Sequence, residues 1–138
     1  MISERLCFAA VAVIRDSETN TISAFSILEG LKAVTLPFIM PSLSFFALWE
    51  REQTDPVRTV GTFSASINEE LLVESRLDVD FGPNLRARTI ANLSGLVVPT
   101  SGQLRFRFAL EGGARAEYVV DVAAPPPVVQ APVAERRG

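Results

Sequence analysis

The chain has 138 residues, 48% of them hydrophobic and 21% charged, with a formal net charge of −3, the balance of one globular domain with a core of its own. It holds no histidine and a single cysteine, Cys7, which excludes Ser-His-Asp, Cys-His and His-based zinc chemistry within the isolated chain, and any internal disulfide. The acidic balance argues against a nucleic-acid partner, and the arginine-rich basic set, with Lys32 the only lysine, points to no particular ligand.

The first element is LCFAAVAVIRD at residues 6–16. Ala10-Val11-Ala12 has the form of a signal-cleavage site, but cleavage there leaves only Leu6 to Ala9 as an apolar core, too short for an export signal. The run also stops at Arg15-Asp16, far short of the roughly 20 residues of a membrane-spanning helix. As a strand it places Leu6, Phe8, Ala10, Ala12 and Ile14 on one face and Cys7, Ala9, Val11 and Val13 on the other. Two apolar faces predict a strand covered on both sides or near the middle of a sheet. Cys7 is then a small buried hydrophobe in a cytoplasmic protein, since no electropositive setting activates its thiol.

A turn at DSETN leads into a second strand region over residues 21–36, interrupted at Gly30, where a bulge or bend is expected. Pro37 and Pro41 bracket Phe38, Ile39 and Met40. Prolines cannot donate to a ladder, so this stretch is expected to be an edge or a crossover loop. Residues 43–51 form the next strand, with Leu43, Phe45, Ala47 and Trp49 on one face and Phe46 and Leu48 on the other; residues 58–67 follow. Residues 66–80 read two ways: Ser66-Ile67-Asn68-Glu69 has the capping-box form of a helix start, while LLVESRLDVDF alternates as a strand. The longer alternation favours the strand, with a helical turn near 67–71 left open. Residues 86–98 form a further strand, and Pro99-Thr100-Ser101-Gly102 a turn.

The final pair, residues 104–110 and 116–122, flanks Glu111-Gly112-Gly113. A three-residue loop with Gly113 in the left-handed region sets the register. Leu110 then faces Ala114, Phe108 faces Ala116, Phe106 faces Tyr118, and Leu104 faces Val120. Arg107 falls opposite Glu117 as a cross-strand ion pair. A one-residue slip would mix core and solvent faces. Residues 124–138 carry Pro125-Pro126-Pro127 and Pro132 and are expected to be a flexible Pro-rich tail beyond a β-sandwich domain over residues 1–123. About seven to eight strands at this spacing predict an all-β, antiparallel β-sandwich.

The stretches LCFAAVAVIRDSETNTISAFSILEGLKAVTLP and NLSGLVVPTSGQLRFRFALEGG resemble a family of small bacterial β-sandwich proteins, a domain of unknown function. In that family an apolar strand ends at an Asp, a polar turn leads to a second strand and a Leu-Pro, and a later Pro/Gly turn opens an alternating strand. Leu104 departs from the aromatic expected after the turn glycine, and residues 50–90 carry no resemblance. The resemblance implies an immunoglobulin-like sandwich in the bacterial cytoplasm, with no catalytic residues and no ligand.

The candidate sites follow. Glu74, Asp78 and Asp80 share one strand face with Arg76, which reads as a solvated face, because no calcium-loop spacing occurs. Arg105 and Arg107, with Arg86 and Arg88, offer an anion-binding patch, against which Glu117 and Asp121 stand as neutralising partners. Phe38, Ile39 and Met40 are the candidate apolar anchor for another chain. The sequence therefore predicts a non-enzymatic module without metal or cofactor. Its expected partner is a protein or a second copy of itself, not nucleic acid or membrane. The alternative is small-molecule or carbohydrate binding by loops at one end of the sandwich, with Trp49 or the arginines as contacts.

Overall fold

The computed structural model describes residues 1–126. Nine strands follow one another: β1 (Ser3–Arg15), β2 (Ile22–Ile27), β3 (Gly30–Lys32), β4 (Phe38–Glu50), β5 (Arg58–Ile67), β6 (Glu70–Asp80), β7 (Arg86–Val98), β8 (Gly102–Leu110) and β9 (Arg115–Ala123). They form a four-stranded sheet of order β2-β1-β4-β7 and a five-stranded sheet of order β3-β9-β8-β5-β6. Between the sheets, Phe45, Phe63 and Phe106 stack at centroid distances of 5.4 to 6.4 Å, and Trp49 meets the edge of Phe108 at 5.8 Å. The fold is thus all-β and sandwich-like, with one strand beyond the expected seven or eight. The extra strand is β3, which begins at Gly30 and runs parallel to β9, so the larger sheet is mixed and not purely antiparallel. Among the described residues no helix is long and apolar enough to cross a membrane.

The β8–β9 hairpin has the register that its loop chemistry requires. Phe108 lies opposite Ala116, Phe106 opposite Tyr118, Leu104 opposite Val120 and Arg107 opposite Glu117; Leu110 N donates to Ala114 O, and Gly113 has φ +100°. Residues 66–72 hold no helical turn. β5 and β6 are joined through Asn68 and Glu69, both at positive φ (49° and 73°), the geometry of a tight hairpin turn that matches strand twist. Of the reading of Phe38-Ile39-Met40 as an edge or crossover loop, the edge holds, because β1 accompanies β4 only as far as Ala10↔Ser44, and the loop is corrected. These residues open β4, which pairs with β7 from Phe38↔Val98 onward. The tail at residues 124–138 lies outside the described residues from 127 on.

Two strand pairs change phase part-way. On β4 the side chains in the main core are Met40, then Leu43, Phe45, Ala47 and Trp49; on β7 the buried ones are Thr89 and Ala91, then Leu96 and Val98. The register runs through without a shift, so both strands exchange their inner and outer faces together where Pro41 meets Gly95. Gly95 has φ +69°, a conformation glycine adopts without steric cost.

The β1–β2 hairpin behaves in a similar way, and its phase change redirects the chain. β1 pairs with β4 only from Ser3 to Ala10. Ser26, at φ 56°, marks a bend next to that point on β2. Arg88 pairs with Leu48, and Leu48 with Leu6, so Arg88 lies level with the start of β1. Arg15 is nine residues beyond Leu6, roughly 30 Å along an extended strand. Yet Arg88 Nη1 donates to Asn20 Oδ1, at the hairpin tip, over 3.1 Å. The distal half of the hairpin therefore folds back over the outer face of the smaller sheet. Phe46 confirms it: it alternates with the core residues Phe45 and Ala47 and so points outward, yet it is only 3% exposed. Ala10 (0%) and Ser44 are likewise buried outside the main core.

Candidate functional site

The folded-back hairpin, hereafter the arm, creates the main surface feature of the molecule. Val13, Ile22 and Ala24 are half-buried, while Ile14, Ser23 and Phe25 between them are exposed. One side of the arm covers the sheet and the other faces solvent. The solvent side is apolar: Ile14 is 55% and Phe25 52% exposed, and Val11 and Ile27 are exposed as well. β2 is also the edge of its sheet, with one row of backbone groups unpaired.

Beneath the arm a small second core forms. Phe8 stacks on Phe46 at 5.0 Å, and Ser44 Oγ donates to Asn92 Oδ1 over 2.6 Å. Beside it runs an open groove of about 950 Å³, floored by Ile22, Phe46, Leu48 and Leu85 and edged by Arg15, Arg86, Arg88 and Glu50. Arg86 Nε bonds Glu50 Oε2 at 3.0 Å. Arg15 Nη1 and Arg88 Nη1 both donate to Asn20 Oδ1, at 3.2 and 3.1 Å.

Of the residues singled out in the sequence, Arg86 and Arg88 edge this groove, but they do not join Arg105 and Arg107, because β7 and β8 belong to different sheets; the others lie elsewhere. Met40 is buried and Phe38 is half-buried against the core, so of the proposed apolar anchor Ile39 is the exposed member, beside exposed Val97. Arg105 and Arg107 sit together on the outer face of the larger sheet, where both bond Glu117, with Arg107 Nη2 at 2.9 Å. Burial alone would raise the Glu117 pKa, but Arg107 and Arg105 outweigh it and hold the carboxyl below its ordinary range. Two cations sharing one anion, in a groove of Ser66, Asn68, Glu69 and Gln103, retain little pull on an outside ligand. Trp49 is fully buried and is unable to touch a carbohydrate.

A cleft of about 910 Å³ at one end of the sandwich is lined by Asp55, Arg58, Asp78, Asp80 and Glu111. Three of its four carboxylates are engaged: Asp80 with Arg58 at 3.1 Å, Glu111 with Arg76 at 3.0 Å and Asp55 with the N-terminal ammonium at 2.9 Å. Among the described residues no three Cys, Asp or Glu side chains gather to hold a metal ion. Cys7 donates to Glu117 O at 3.4 Å, and burial, with Glu4 adding to it, pushes its thiol up to about 12, the reverse of an activated nucleophile.

The arm was not visible in the sequence as a site. β1 lies inside its sheet, between β2 and β4, but the expected cover on both faces fails at Leu6, Val11 and Ile14, which are exposed, because alternation does not report a bend. Comparison with protein-family models, with curated proteins and with solved structures finds no match.

Proposed function

We propose that the chain is a non-enzymatic, immunoglobulin-like module of the bacterial cytoplasm that acts by binding protein, either a second copy or another chain, through its arm. The single observation that carries this reading is the solvent side of the arm, where Ile14, Phe25, Ile27 and Val11 stand exposed beside an unpaired strand edge. Scattered exposed apolar residues are ordinary on a protein surface, but a contiguous group beside a strand edge is a docking feature. The immunoglobulin-like reading draws on strand order. β1-β4-β7 against β9-β8-β5-β6 follows the arrangement of strands A, B and E against G, F, C and C′. Trp49 on the second of these strands, and the missing inter-sheet disulfide, depart from the antibody pattern.

The test places a photo-crosslinking residue at position 25 of the full chain in its native host, with sedimentation measured from micromolar to millimolar concentration alongside. The expected result is a protein crosslink that Ile14→Asp abolishes. If the crosslinked species is a second copy, the mass rises above 15.0 kDa with concentration. A residue at position 25 that crosslinks to no protein overturns the reading.

A further inference from the structure

We propose that the groove beneath the arm binds a small amphiphile with a carboxylate head and a short apolar body, a site separate from the solvent side of the arm and independent of the protein-binding reading. The electrostatics come first. Arg15 and Arg88 come from distant parts of the chain, and the fold-back brings both to one neutral acceptor, with each Nη1 within 3.2 Å of Asn20 Oδ1. Neither forms an ion pair with any carboxylate among the described residues, where Glu50 is engaged by Arg86 and Arg5 and the other pairs lie elsewhere. Asp16, next to Arg15, accepts from the amides of Glu18 and Thr19 in its own turn. Two like charges focused on one amide oxygen repel each other, and an amide oxygen compensates them less well than an anion does. Three arginines line the groove against the single carboxylate of Glu50.

The floor supplies the second half of the specificity. Ile22, Phe46, Leu48 and Leu85 lie in the same groove as the guanidiniums. A ligand with its carboxylate at Arg15 and Arg88 therefore lays an apolar body over these side chains. Removing that body from water adds affinity in proportion to the area covered. Free acetate has the head without the body, and an alkanol the body without the head; the geometry selects molecules that have both. Asn20 sits at φ 59°, a left-handed conformation that Asp also tolerates. Asn20→Asp therefore sets a carboxylate between the two guanidiniums from within the chain, as a built-in copy of the ligand head.

The experiment titrates the full chain with octanoate, acetate and octanol, following backbone amide shifts by NMR and heats by calorimetry. Octanoate is expected to bind at least about tenfold more tightly than either comparator, with shifts centred on residues 15, 22, 48 and 88. The Arg15→Gln/Arg88→Gln pair is expected to weaken octanoate at least about tenfold, and Asn20→Asp to abolish its binding while raising the melting midpoint. All the substituted side chains are exposed, and the midpoint of each variant confirms its folding. Equal binding of octanol, equal binding of acetate, or full octanoate affinity in Asn20→Asp each overturns the proposal.

Discussion

Thr89 Oγ1 and Trp49 Nε1 are buried without a hydrogen-bond partner among the described residues. Thr89 lies opposite Ala47, and Trp49 opposite Ala87, so the two side chains are diagonal neighbours on the inner face of one strand pair. A buried hydroxyl without a partner costs on the order of 1–3 kcal/mol relative to an apolar group of the same shape. Thr89→Val keeps the branched shape and removes the hydroxyl. It is expected to raise unfolding free energy by about 1 kcal/mol, read as a higher midpoint in urea with an unchanged denaturant slope; a lower midpoint would mean that Oγ1 is satisfied. Trp49→Phe also removes an unmatched donor, but it leaves a void in a fully packed core, and that loss outweighs the gain. The inward placement of Trp49 was legible from its alternation with Leu43, Phe45 and Ala47. The missing partner was not, because a hydrogen bond depends on what the facing strands present.

At the scale of elements, Pro41 argued against a ladder, yet it lies within β4, beside β7. It is tolerated there because β1 has already left β4 at Ala10↔Ser44, so this end of the strand is an edge. The clue was the phase. Phe38 and Met40 share one parity and Leu43, Phe45 and Ala47 the other, and the same break separates Ala91 from Leu96 and Val98 on β7. Two strands that reverse their faces at a common point need one residue there with unusual backbone geometry, and Gly95 at φ +69° supplies it. Gly95→Ala meets no neighbouring atom within 4 Å, so its cost comes from the backbone alone. That cost is about 1–2 kcal/mol, the ordinary penalty of a left-handed conformation for a residue with a Cβ. Pro41→Ala is expected to cost less than about 1 kcal/mol, through the freer unfolded chain. Urea denaturation of the two variants ranks them; a larger loss for Pro41→Ala would place the constraint on β4 instead. The β8–β9 hairpin was legible to the residue because loop length, glycine position and charge pairing all demanded one register. The bend at Ser26 was hidden, because serine at positive φ carries no sequence signal.

For the whole molecule, the sequence announced strands, turns and core faces but not the arm lying over the sheet. Local periodicity dictates which side of a strand is apolar. Whether that side meets the opposite sheet, a folded-back hairpin or solvent is decided by contacts between residues far apart in the chain, such as Arg88 with Asn20. The absence of histidine, in contrast, has a consequence for the molecule as a whole that composition alone begins to predict. Asp16 is held below its ordinary pKa by the Glu18 and Thr19 amides, and Asp55 by the Glu52 amide. At Glu117, burial is outweighed by Arg107 and Arg105. Cys7 is pushed the other way, to about 12. A carboxylate with a depressed folded-state pKa contributes stability above its unfolded pKa and loses it as pH falls through the folded value. Stability is therefore expected to be flat between about pH 5.5 and 7.5, then to fall as acid protonates these carboxylates. Urea unfolding measured across pH checks the plateau and the acid limb. Glu117→Gln should make the acid limb shallower and leave the plateau level. Added salt should lower the plateau slightly, because the Arg105–Glu117–Arg107 cluster faces solvent and is screened. A step in stability between pH 6 and 7 would require a titrating group that this chain does not contain.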